Sequence, residues 1–583
     1  MAKHGLEAVD LVKTYPAGRK KPPLRALDGL TVSVPEGVVL GLLGPNGAGK
    51  STTVKILTTL SRADSGTARV AGYDVVREQD RVRRTIGYVP QKSSSDPMAT
   101  GLENLVLSGR IFGLSRQDAE RRAGELLERF GLAEHGGRAV KTYSGGMQRK
   151  LDVALGLVHQ PRVLFLDEPT TGLDPEARAD LWNEVLRLSG QEGLTVLLTT
   201  HYLEEADRLA GQLAIVDHGK IVAEGTPEAL KSALRGDSVQ VELVDPDTDG
   251  DVRALLRQLP GVGEIVVEGN TLRGAGGSRG DRGSRRTGSP RGQGDSGRCG
   301  DGVAAVAGRC LSAAHRSFVQ DRGGGCVMSV SDTGLIFGRW TRASYRQPAL
   351  IAFTLIQPAI WLLLFGQLFQ GVVHIPGFGD SSYIAFLTPG IVMMTALMTS
   401  GWSGTAFIQD MERGVMDRML ASPVSRGGLM AGQLLSNAST TLIQTILVFA
   451  IGFAAGARYD GGVGGYLITI VASMLIGTAF GSLSNAVALL TRQQEALIGI
   501  FQFVSLPLTF MSSIMIDPTV APHWINVAAR FNPVDWATIA ARESLAAGPD
   551  WSSVWRHCGY LLAFTLIVGW LSTRAFRTYQ RSV

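Results

Sequence analysis

The chain has 583 residues, of which 45% are hydrophobic and 19% charged, and its formal net charge at pH 7 is +5. This length allows three or four domains, and because the positive charge is spread along the chain, it argues against nucleic-acid binding. The four cysteines show no metal-ligand spacing. They also argue against a disulfide framework and favour a reducing compartment around the soluble half. Residues 1–240 are patterned like an α/β enzyme, whereas long uncharged runs after residue 350 predict a membrane part.

An aromatic residue and a glycine-rich loop come first in the chain. A short strand is predicted over residues 8–15 and ends at Tyr15, which could either pack within the fold or stack on an adenine ring. The loop follows an apolar run and has P-loop spacing, so its backbone N–H groups would close around phosphates, Lys50 would reach the β- and γ-phosphates and Ser51 would bind Mg²⁺. The predicted nucleotide-binding residues of this loop are Gly44, Pro45, Asn46, Gly47, Ala48, Gly49, Lys50, Ser51 and Thr52.

Three later predicted strands each end at polar or charged residues. The first covers residues 86–91 and ends at Gln91. The second is an apolar run that leads into Asp167, which would hold Mg²⁺, and Glu168, which would polarise the water that attacks a nucleotide. The third ends at His201, at the sheet edge where α/β proteins bind ligands, so that its imidazole can contact the γ-phosphate.

The order and spacing of these motifs resemble the nucleotide-binding domain of an ABC transporter. The P-loop matches Walker A, Gln91 the Q-loop, residues 163–168 Walker B and His201 the switch histidine. The family's signature motif and D-loop match Ser144, Gly145, Gly146 and Asp174. The signature departs from the commonest Leu-Ser-Gly-Gly-Gln form at both ends, where this chain has Tyr143 and Met147.

The resemblance implies ATP and Mg²⁺ as cofactors and Tyr15 as the adenine-stacking residue. It implies catalytic roles for Gln91, Glu168 and His201 and a Mg²⁺ site made by Ser51, Gln91 and Asp167. The other nucleotide-binding residues that it implies are Ser144, Gly145, Gly146 and Asp174. In this family the signature of one subunit closes on the ATP held by another, so we expect a homodimer with two ATP molecules at its interface.

Residues 237–272 predict a strand, a helix and a second strand, and they resemble the small accessory domain of drug-exporter relatives. From Arg273 to Val327 the chain is rich in Gly, Arg and Ser and contains no Lys. One interpretation is a flexible basic linker. The other is that this stretch is translated out of frame, since Met328 begins a stretch that looks like an independent start.

Six uncharged runs in the second half are long enough, or nearly so, to cross a membrane as helices. They cover residues 349–369, 384–405, 432–457, 466–490, 496–516 and 558–573. Arginines lie before the first run and after the last run, and the N-terminus lacks the layout of a signal peptide. Together these features predict six spans with both ends cytoplasmic. Arg530, Arg542 and Arg556, in the expected last outer loop, oppose this orientation.

The stretch from Glu412 to Arg426 looks like the cytoplasmic loop of type-two (ABC-2) exporter permeases, and residues 531–536 resemble that family's segment before its last span. The sequence therefore predicts a multidomain protein in which an α/β P-loop NTPase is followed by an all-α membrane domain of six helices. The expected domains are a nucleotide-binding domain (1–236), a truncated α+β accessory domain (237–272), a linker (273–330) and a permease domain (331–583). We expect ATPase motion to reach the membrane through the Glu412–Arg426 loop.

The nearest resemblance is to bacterial drug exporters of the daunorubicin-resistance type, which implies ATP-driven efflux from the bacterial cytoplasmic membrane. Because the spans contain almost no ionisable residue, a hydrophobic or amphipathic substrate is favoured. The expected partners are a second copy of the chain, membrane lipid and a hydrophobic small molecule, with no nucleic acid. A lipid or polysaccharide exporter and a membrane-anchored ATPase regulator without transport remain alternatives.

Overall fold

The computed structural model describes residues 4–16, 22–234, 238–242, 262–268, 271–276, 330–368, 382–514 and 522–582. The chain divides into two compact units, of which the first comprises residues 1–224 together with 326–583, and the second comprises residues 225–325. The predicted nucleotide-binding region and the predicted membrane region thus belong to one compact unit.

Ten strands build two sheets in the first part of the chain. They are β1 His4–Tyr15, β2 Leu24–Pro35, β3 Val39–Leu43, β4 Ser65–Val70, β5 Tyr73–Asp74, β6 Ile86–Val89, β7 Val163–Asp167, β8 Thr195–Thr200, β9 Gln212–Asp217 and β10 Lys220–Gly225. The smaller sheet has the order β2-β1-β4-β5, and the larger has the order β10-β9-β3-β8-β7-β6. Strands β3, β6, β7 and β8 are buried along their whole length and β3 pairs in parallel with both neighbours, which is why they read as continuous apolar runs.

Several helices in the first part of the chain begin at a side chain that accepts one of their free N–H groups. Thr100 and Glu103 form a reciprocal capping box, and Ser115 caps the helix that follows. The helices are α1 Lys50–Leu57, α2 Gln79–Thr85, α3 Gly101–Ile111, α4 Arg116–Arg129, α5 Gly145–Leu157, α6 Pro175–Gly190, α7 Leu203–Leu209 and α8 Pro227–Leu234, with 3₁₀ turns at Ala133–His135 and Val140–Thr142.

In the second half of the first unit, all described regular secondary structure is helical. Its helices are α9 Val330–Tyr345, α10 Pro348–Leu368, α11 Tyr383–Gly401, α12 Ser403–Glu412, α13 Val415–Ala421, α14 Arg426–Ala454, α15 Gly462–Thr491, α16 Gln494–Phe510, α17 His523–Ala529, α18 Pro533–Leu545 and α19 Trp551–Ser582. Their core is apolar and includes the fully buried Phe480. The short helix α13 follows the ten-residue α12 and precedes the long α14.

Each of the six apolar runs begins within a helix, but the prediction of six spans is not confirmed. Within the described ranges, four segments are long and apolar enough to cross a membrane, namely Tyr383–Glu412, Arg426–Ala454, Gly462–Thr491 and Trp551–Tyr579. Two shorter apolar segments, Ile356–Leu368 and Gln494–Phe510, correspond to the first and fifth predicted runs. The continuations of both runs past Leu368 and Ile514 lie outside the described residues.

The described strands of the second unit form a three-stranded antiparallel sheet. They are β11 Ser238–Glu242, β12 Val262–Glu268 and β13 Thr271–Gly276, in the order β11-β13-β12. The first two match the strands expected for the accessory domain, and the third runs past residue 272. The helix predicted between β11 and β12 and the segment from residue 277 to 329 lie outside the described residues, so both interpretations of that segment stay open.

Candidate ATP site

The P-loop joins the buried strand β3 to helix α1, as its sequence predicts. Gly49 adopts φ +110° immediately before α1, and a Cβ there would lie 2.6 Å from the Ala26 carbonyl oxygen, so only glycine fits. The Lys50 ammonium donates hydrogen bonds to the carbonyl oxygens of Gly44 (2.7 Å) and Pro45 (3.1 Å). The lysine is therefore buried within the loop, at the N-terminus of a helix, where phosphates are favoured.

Two of the predicted Mg²⁺ ligands meet at the end of strand β7. The Ser51 hydroxyl donates to Asp167 Oδ1 at 3.3 Å, and Thr199 donates to the same oxygen at 2.6 Å. Burial raises the pKa of Asp167, and the hydrogen bond from Thr199 opposes that rise. A hydroxyl and a carboxylate that converge in this way are the hard oxygen donors that Mg²⁺ prefers, so these residues fit the ion.

Two of the three predicted catalytic residues approach one carboxylate oxygen of the third, Glu168. Gln91 donates its amide N–H to Glu168 Oε2 at 3.0 Å, and His201 Nδ1 lies 3.5 Å from the same oxygen. Glu168 is a non-glycine residue with φ +45°, in the left-handed region that side chains rarely adopt. The structure thus brings Gln91 to the predicted base Glu168, whereas its predicted contact with Mg²⁺ remains a prediction.

The signature motif forms the start of helix α5, away from this cluster. Ser144 caps the helix by accepting a hydrogen bond from the Met147 N–H, and both Ser144 and Gly145 are exposed. Tyr143, which replaces the usual leucine, is buried and donates its hydroxyl to the His135 carbonyl at 2.7 Å. The departure from the common motif therefore changes the packing behind the signature and leaves its exposed turn intact.

Two further predicted nucleotide-binding residues have visible structural partners. Asp174 caps helix α6 by accepting from the Ala177 N–H at 2.8 Å, and Pro175 follows at the first helical position. Tyr15 is half-buried, with the Lys13 ammonium 5.4 Å from its ring centre. Packing and adenine stacking therefore both remain open for Tyr15.

Sequence reasoning did not single out Arg149, although it lies only five residues after Ser144. Its buried guanidinium donates to the carbonyl oxygens of Pro90 (2.6 Å), Pro169 (2.6 Å) and Asp167 (3.1 Å). These carbonyls stand just before Gln91 and on either side of Glu168. Arg149 thus ties the signature helix to both segments that carry predicted catalytic residues, and a cation in that motif was the only available signal.

The Glu412–Arg426 loop packs against the nucleotide-binding part of the same unit. Helix α13 buries Val415, Met416 and Met419 in the core that contains the β6 residue Tyr88. Gly414 precedes it with φ +72°, and a Cβ there would lie 3.4 Å from the Lys92 carbonyl oxygen. The loop therefore docks directly beside Gln91, as expected for a segment that transmits motion from the ATP site.

Arg418 of helix α13 interacts electrostatically with Asp152, a carboxylate on the signature helix α5. Burial lowers the pKa of Arg418 to about 10, and the attraction of Asp152 opposes that shift. Burial raises the pKa of Asp152, whose Oδ1 accepts from the N–H and hydroxyl of Ser94. The docked helix thus places a buried positive charge within electrostatic reach of helix α5.

A second link is a buried ion triad. Arg339 of helix α9 donates to Asp96 Oδ2 at 2.8 Å and to both carboxylate oxygens of Asp410 at 2.8 and 2.7 Å. All three side chains are no more than 10% exposed. Nearby, Arg346 makes a two-point ion pair with Glu103. Charges held this closely fix α9 and the end of α12 to the loop that precedes α3.

Comparison with known proteins identifies the families of both parts of the chain. The ABC transporter family model matches residues 27–171, and the ABC-2 type transporter family model matches residues 332–546. The chain is 49% identical over 257 residues to the daunorubicin/doxorubicin resistance ATP-binding protein DrrA of Streptomyces peucetius, which covers 44% of this chain and 76% of that protein. An ABC ATP-binding domain and an ABC-2 membrane domain therefore occur in one polypeptide.

Two other relatives carry different names. The linearmycin resistance ATP-binding protein LnrL of Bacillus subtilis is 37% identical over 45% of this chain and 82% of its own length. The Nod factor export ATP-binding protein I of Burkholderia lata is 44% identical over 38% of this chain and 73% of its own length. The chain belongs to the ABC transporter family. It is an ABC-type ATP hydrolase joined to a membrane domain.

Proposed function

We propose that this protein exports a hydrophobic or amphipathic, antibiotic-like small molecule across the bacterial cytoplasmic membrane. The observation that carries the proposal is the direct docking of helix α13 beside Gln91, because it joins the cluster around Glu168 to the apolar helices. The names of the daunorubicin/doxorubicin and linearmycin resistance relatives support the antibiotic-like cargo. The apolar helices that are long enough to cross a membrane support a substrate that is taken from the membrane.

The residues of the ATP site divide the work of hydrolysis. The P-loop and Lys50 bind the phosphates, while Ser51 and Asp167 would hold Mg²⁺, which neutralises charge on the phosphate oxygens when bound. Glu168 accepts a hydrogen bond from the attacking water, and Gln91 and His201 hold its carboxylate in place. Thr52, at the start of α1, and Asp174, at the start of α6, complete the proposed nucleotide contacts.

The exposed signature turn supports a homodimer. Ser144 and Gly145 stand at the exposed N-terminus of α5, where backbone N–H groups and the helix dipole favour an anion. A second copy would present this turn to the ATP held by the first copy's P-loop. Each chain then supplies half of each of two sites, with the ATP-binding domains and both termini on the cytoplasmic side.

A second candidate is a lipid or polysaccharide exporter, which the Nod factor export relative favours. Both candidates predict that cargo stimulates hydrolysis, and they differ in the compound that does so. Purified full-length protein in liposomes should therefore be assayed for ATP hydrolysis and uptake with anthracyclines, linear polyenes and lipid-linked saccharides. Stimulation by the first two supports a drug exporter, and stimulation by saccharides alone supports the second candidate. Hydrolysis with no transport of any compound would indicate a membrane-anchored regulator.

A further inference from the structure

Thr199 is a buried hydroxyl between the two carboxylates of the ATP site. It is the fifth of the six residues of strand β8, and the parallel register pairs it with Asp167 of β7. Its side chain is 0% exposed. Sequence reasoning used β8 only to place His201, two residues further on, and assigned Thr199 no role.

One hydroxyl group makes two hydrogen bonds of opposite sense. Thr199 Oγ1 donates to Asp167 Oδ1 at 2.6 Å and accepts the backbone N–H of Glu168 at 3.0 Å. A threonine hydroxyl has one proton and two lone pairs, so it satisfies both contacts at once. The same Glu168 N–H also lies 3.1 Å from the Thr199 carbonyl oxygen. Thr199 therefore contacts both neighbouring carboxylate residues.

Thr199 contacts the Glu168 N–H at a point where the backbone adopts an unfavourable conformation. Glu168 has φ +45°, a conformation that a glutamate keeps only when its surroundings impose it. That conformation turns the Glu168 side chain to Gln91 and His201, which lie 3.0 and 3.5 Å from its Oε2. The two acceptors of Thr199 are the contacts that fix this turn.

We propose that Thr199 is a positioning residue that sets the Mg²⁺-holding carboxylate and the water-polarising carboxylate in one fixed relation. This rests on the roles proposed above for Asp167 and Glu168. The hydroxyl orients Asp167 Oδ1 toward Ser51, 3.3 Å away, and anchors the backbone of Glu168. Partners that orient metal-holding side chains commonly change metal affinity tenfold to hundredfold when they are removed, and we expect about that effect here.

The test replaces Thr199 by valine, which keeps the shape and removes the hydroxyl, and by serine, which keeps the hydroxyl. Thr195 provides the matched control because it is buried in the same strand and its hydroxyl accepts from the Gly37 N–H at 3.0 Å, at the opposite end of β8. Each variant of the full-length chain is measured for Mn²⁺ binding in the presence of ADP by electron paramagnetic resonance, and for ATP hydrolysis across Mg²⁺ concentrations.

We expect Thr199→Val to weaken Mn²⁺ binding about tenfold or more and to lower kcat by a similar factor, since the Asp167 carboxylate and the backbone N–H of Glu168 each lose a hydrogen bond. Thr199→Ser should stay within about threefold of the wild type, and Thr195→Val should leave Mn²⁺ binding unchanged. If Thr199→Val does not fold, Thr199→Ala and Thr199→Ser supply the same comparison. Wild-type Mn²⁺ binding in the variant without the hydroxyl, or equal losses in the serine variant, would overturn the proposal.

Asp167→Asn separates this proposal from the one on which it rests. If Asp167→Asn weakens Mn²⁺ binding and Thr199→Val does not, the positioning role of Thr199 is wrong and the role of Asp167 stands. If Asp167→Asn keeps wild-type Mn²⁺ binding, the assignment of Asp167 itself is wrong, whatever Thr199→Val does.

Discussion

Glu168 is the proposed catalytic base, and its neighbours hold both its carboxylate and its backbone. Its carboxylate accepts from Gln91, lies near His201 and belongs to a residue with a left-handed backbone. A carboxylate held in this way can orient water without first reorganising, which is what general-base catalysis requires. The residue therefore carries the sharpest test of the assigned chemistry.

We expect Glu168→Gln to lower the rate of ATP hydrolysis by about a hundredfold or more, because an amide cannot accept a proton from water. ATP binding should remain, since the P-loop is unchanged. Steady-state phosphate release and binding of a fluorescent ATP analogue measure the two quantities. Glu176→Gln, an exposed glutamate at the start of α6, is the control and should behave as the wild type. Full hydrolysis by Glu168→Gln would refute the assigned base.

Arg149 makes three buried hydrogen bonds whose loss should destabilise the nucleotide-binding part. Arg149→Met would leave three buried carbonyl oxygens without their donor, and we expect the free energy of unfolding to fall by about 3 kcal/mol or more. Lys150→Met is the control, because Lys150 forms only a partly exposed pair with Asp180. Denaturant unfolding followed by tryptophan fluorescence compares the two. An equal loss in both variants would contradict the role of Arg149.

The identities of the P-loop lysine, Asp167, Glu168 and His201 could be predicted because each sits at a fixed distance from a recognisable strand. Thr199 and Arg149 could not be predicted in the same way. Their importance lies in contacts between segments that are 18 to 59 residues apart, and the chain order does not show which segments meet. The left-handed backbone of Glu168 is likewise set by a neighbouring strand and leaves no mark in the sequence.

Among the structural elements, α13 and α9 join the ATP-binding part to the membrane helices. The sequence predicted the first from the Glu412–Arg426 loop, but Glu412 and Arg413 are exposed, and the buried contacts belong to the residues that follow them. It gave no sign of the second, because an arginine near a predicted span is read as a topology signal. Only the fold brings Arg339 between Asp96 and Asp410, residues 243 and 71 positions away.

Arg339→Met should destabilise the protein by about 3–5 kcal/mol, because two buried carboxylates would lose their shared cation. Burial alone would raise the pKa of Asp96, but Arg339 outweighs it and holds that pKa below its ordinary value. In the wild type, the contribution of Asp96 to the free energy of unfolding is therefore complete above about pH 4. It is lost only as the pH falls through the lowered pKa. In the variant the buried Asp96 carboxylate would instead resist ionisation, so the stability deficit should shrink as the pH is lowered from 8 to 5.

Chemical denaturation at a series of pH values measures this difference. Arg342→Met is the control, since Arg342 lies on the same helix, is 54% exposed and approaches Glu103 only to 3.8 Å. It should lose little stability at any pH. A pH-independent deficit in Arg339→Met would mean that the triad's charges are not the source of the loss.

The complete molecule requires two chains if the signature turn serves a partner's ATP. A mixture of Glu168→Gln chains and Ser144→Arg chains should then recover activity that neither has alone, because each mixed dimer contains one intact site. With random pairing in a twofold dimer, roughly a quarter of wild-type activity is expected. Hydrolysis by the co-expressed, co-purified chains measures it, with each variant alone as the control. No recovery in verified mixed dimers would contradict the shared site.

The triad around Arg339 also bears on how the two halves of the polypeptide stay together. Arg339 belongs to the first described helix after residue 329, yet its charge is neutralised partly by Asp96 of the ATP-binding part. The permease half is thus also held to the ATP-binding part by a noncovalent contact. These contacts would let the two halves assemble as separate chains. Joining them in one chain would then mainly fix their ratio at one to one.

We therefore expect residues 1–276 and 328–583, produced as separate chains in one cell, to purify as a complex that hydrolyses ATP. Arg339→Met in the second chain should reduce the recovered complex, while Arg342→Met should not, since only the former side chain is buried against Asp96. Affinity capture through a tag on one chain measures the yield of the other. Recovery of such a complex would mean that the two halves assemble without a covalent link between them.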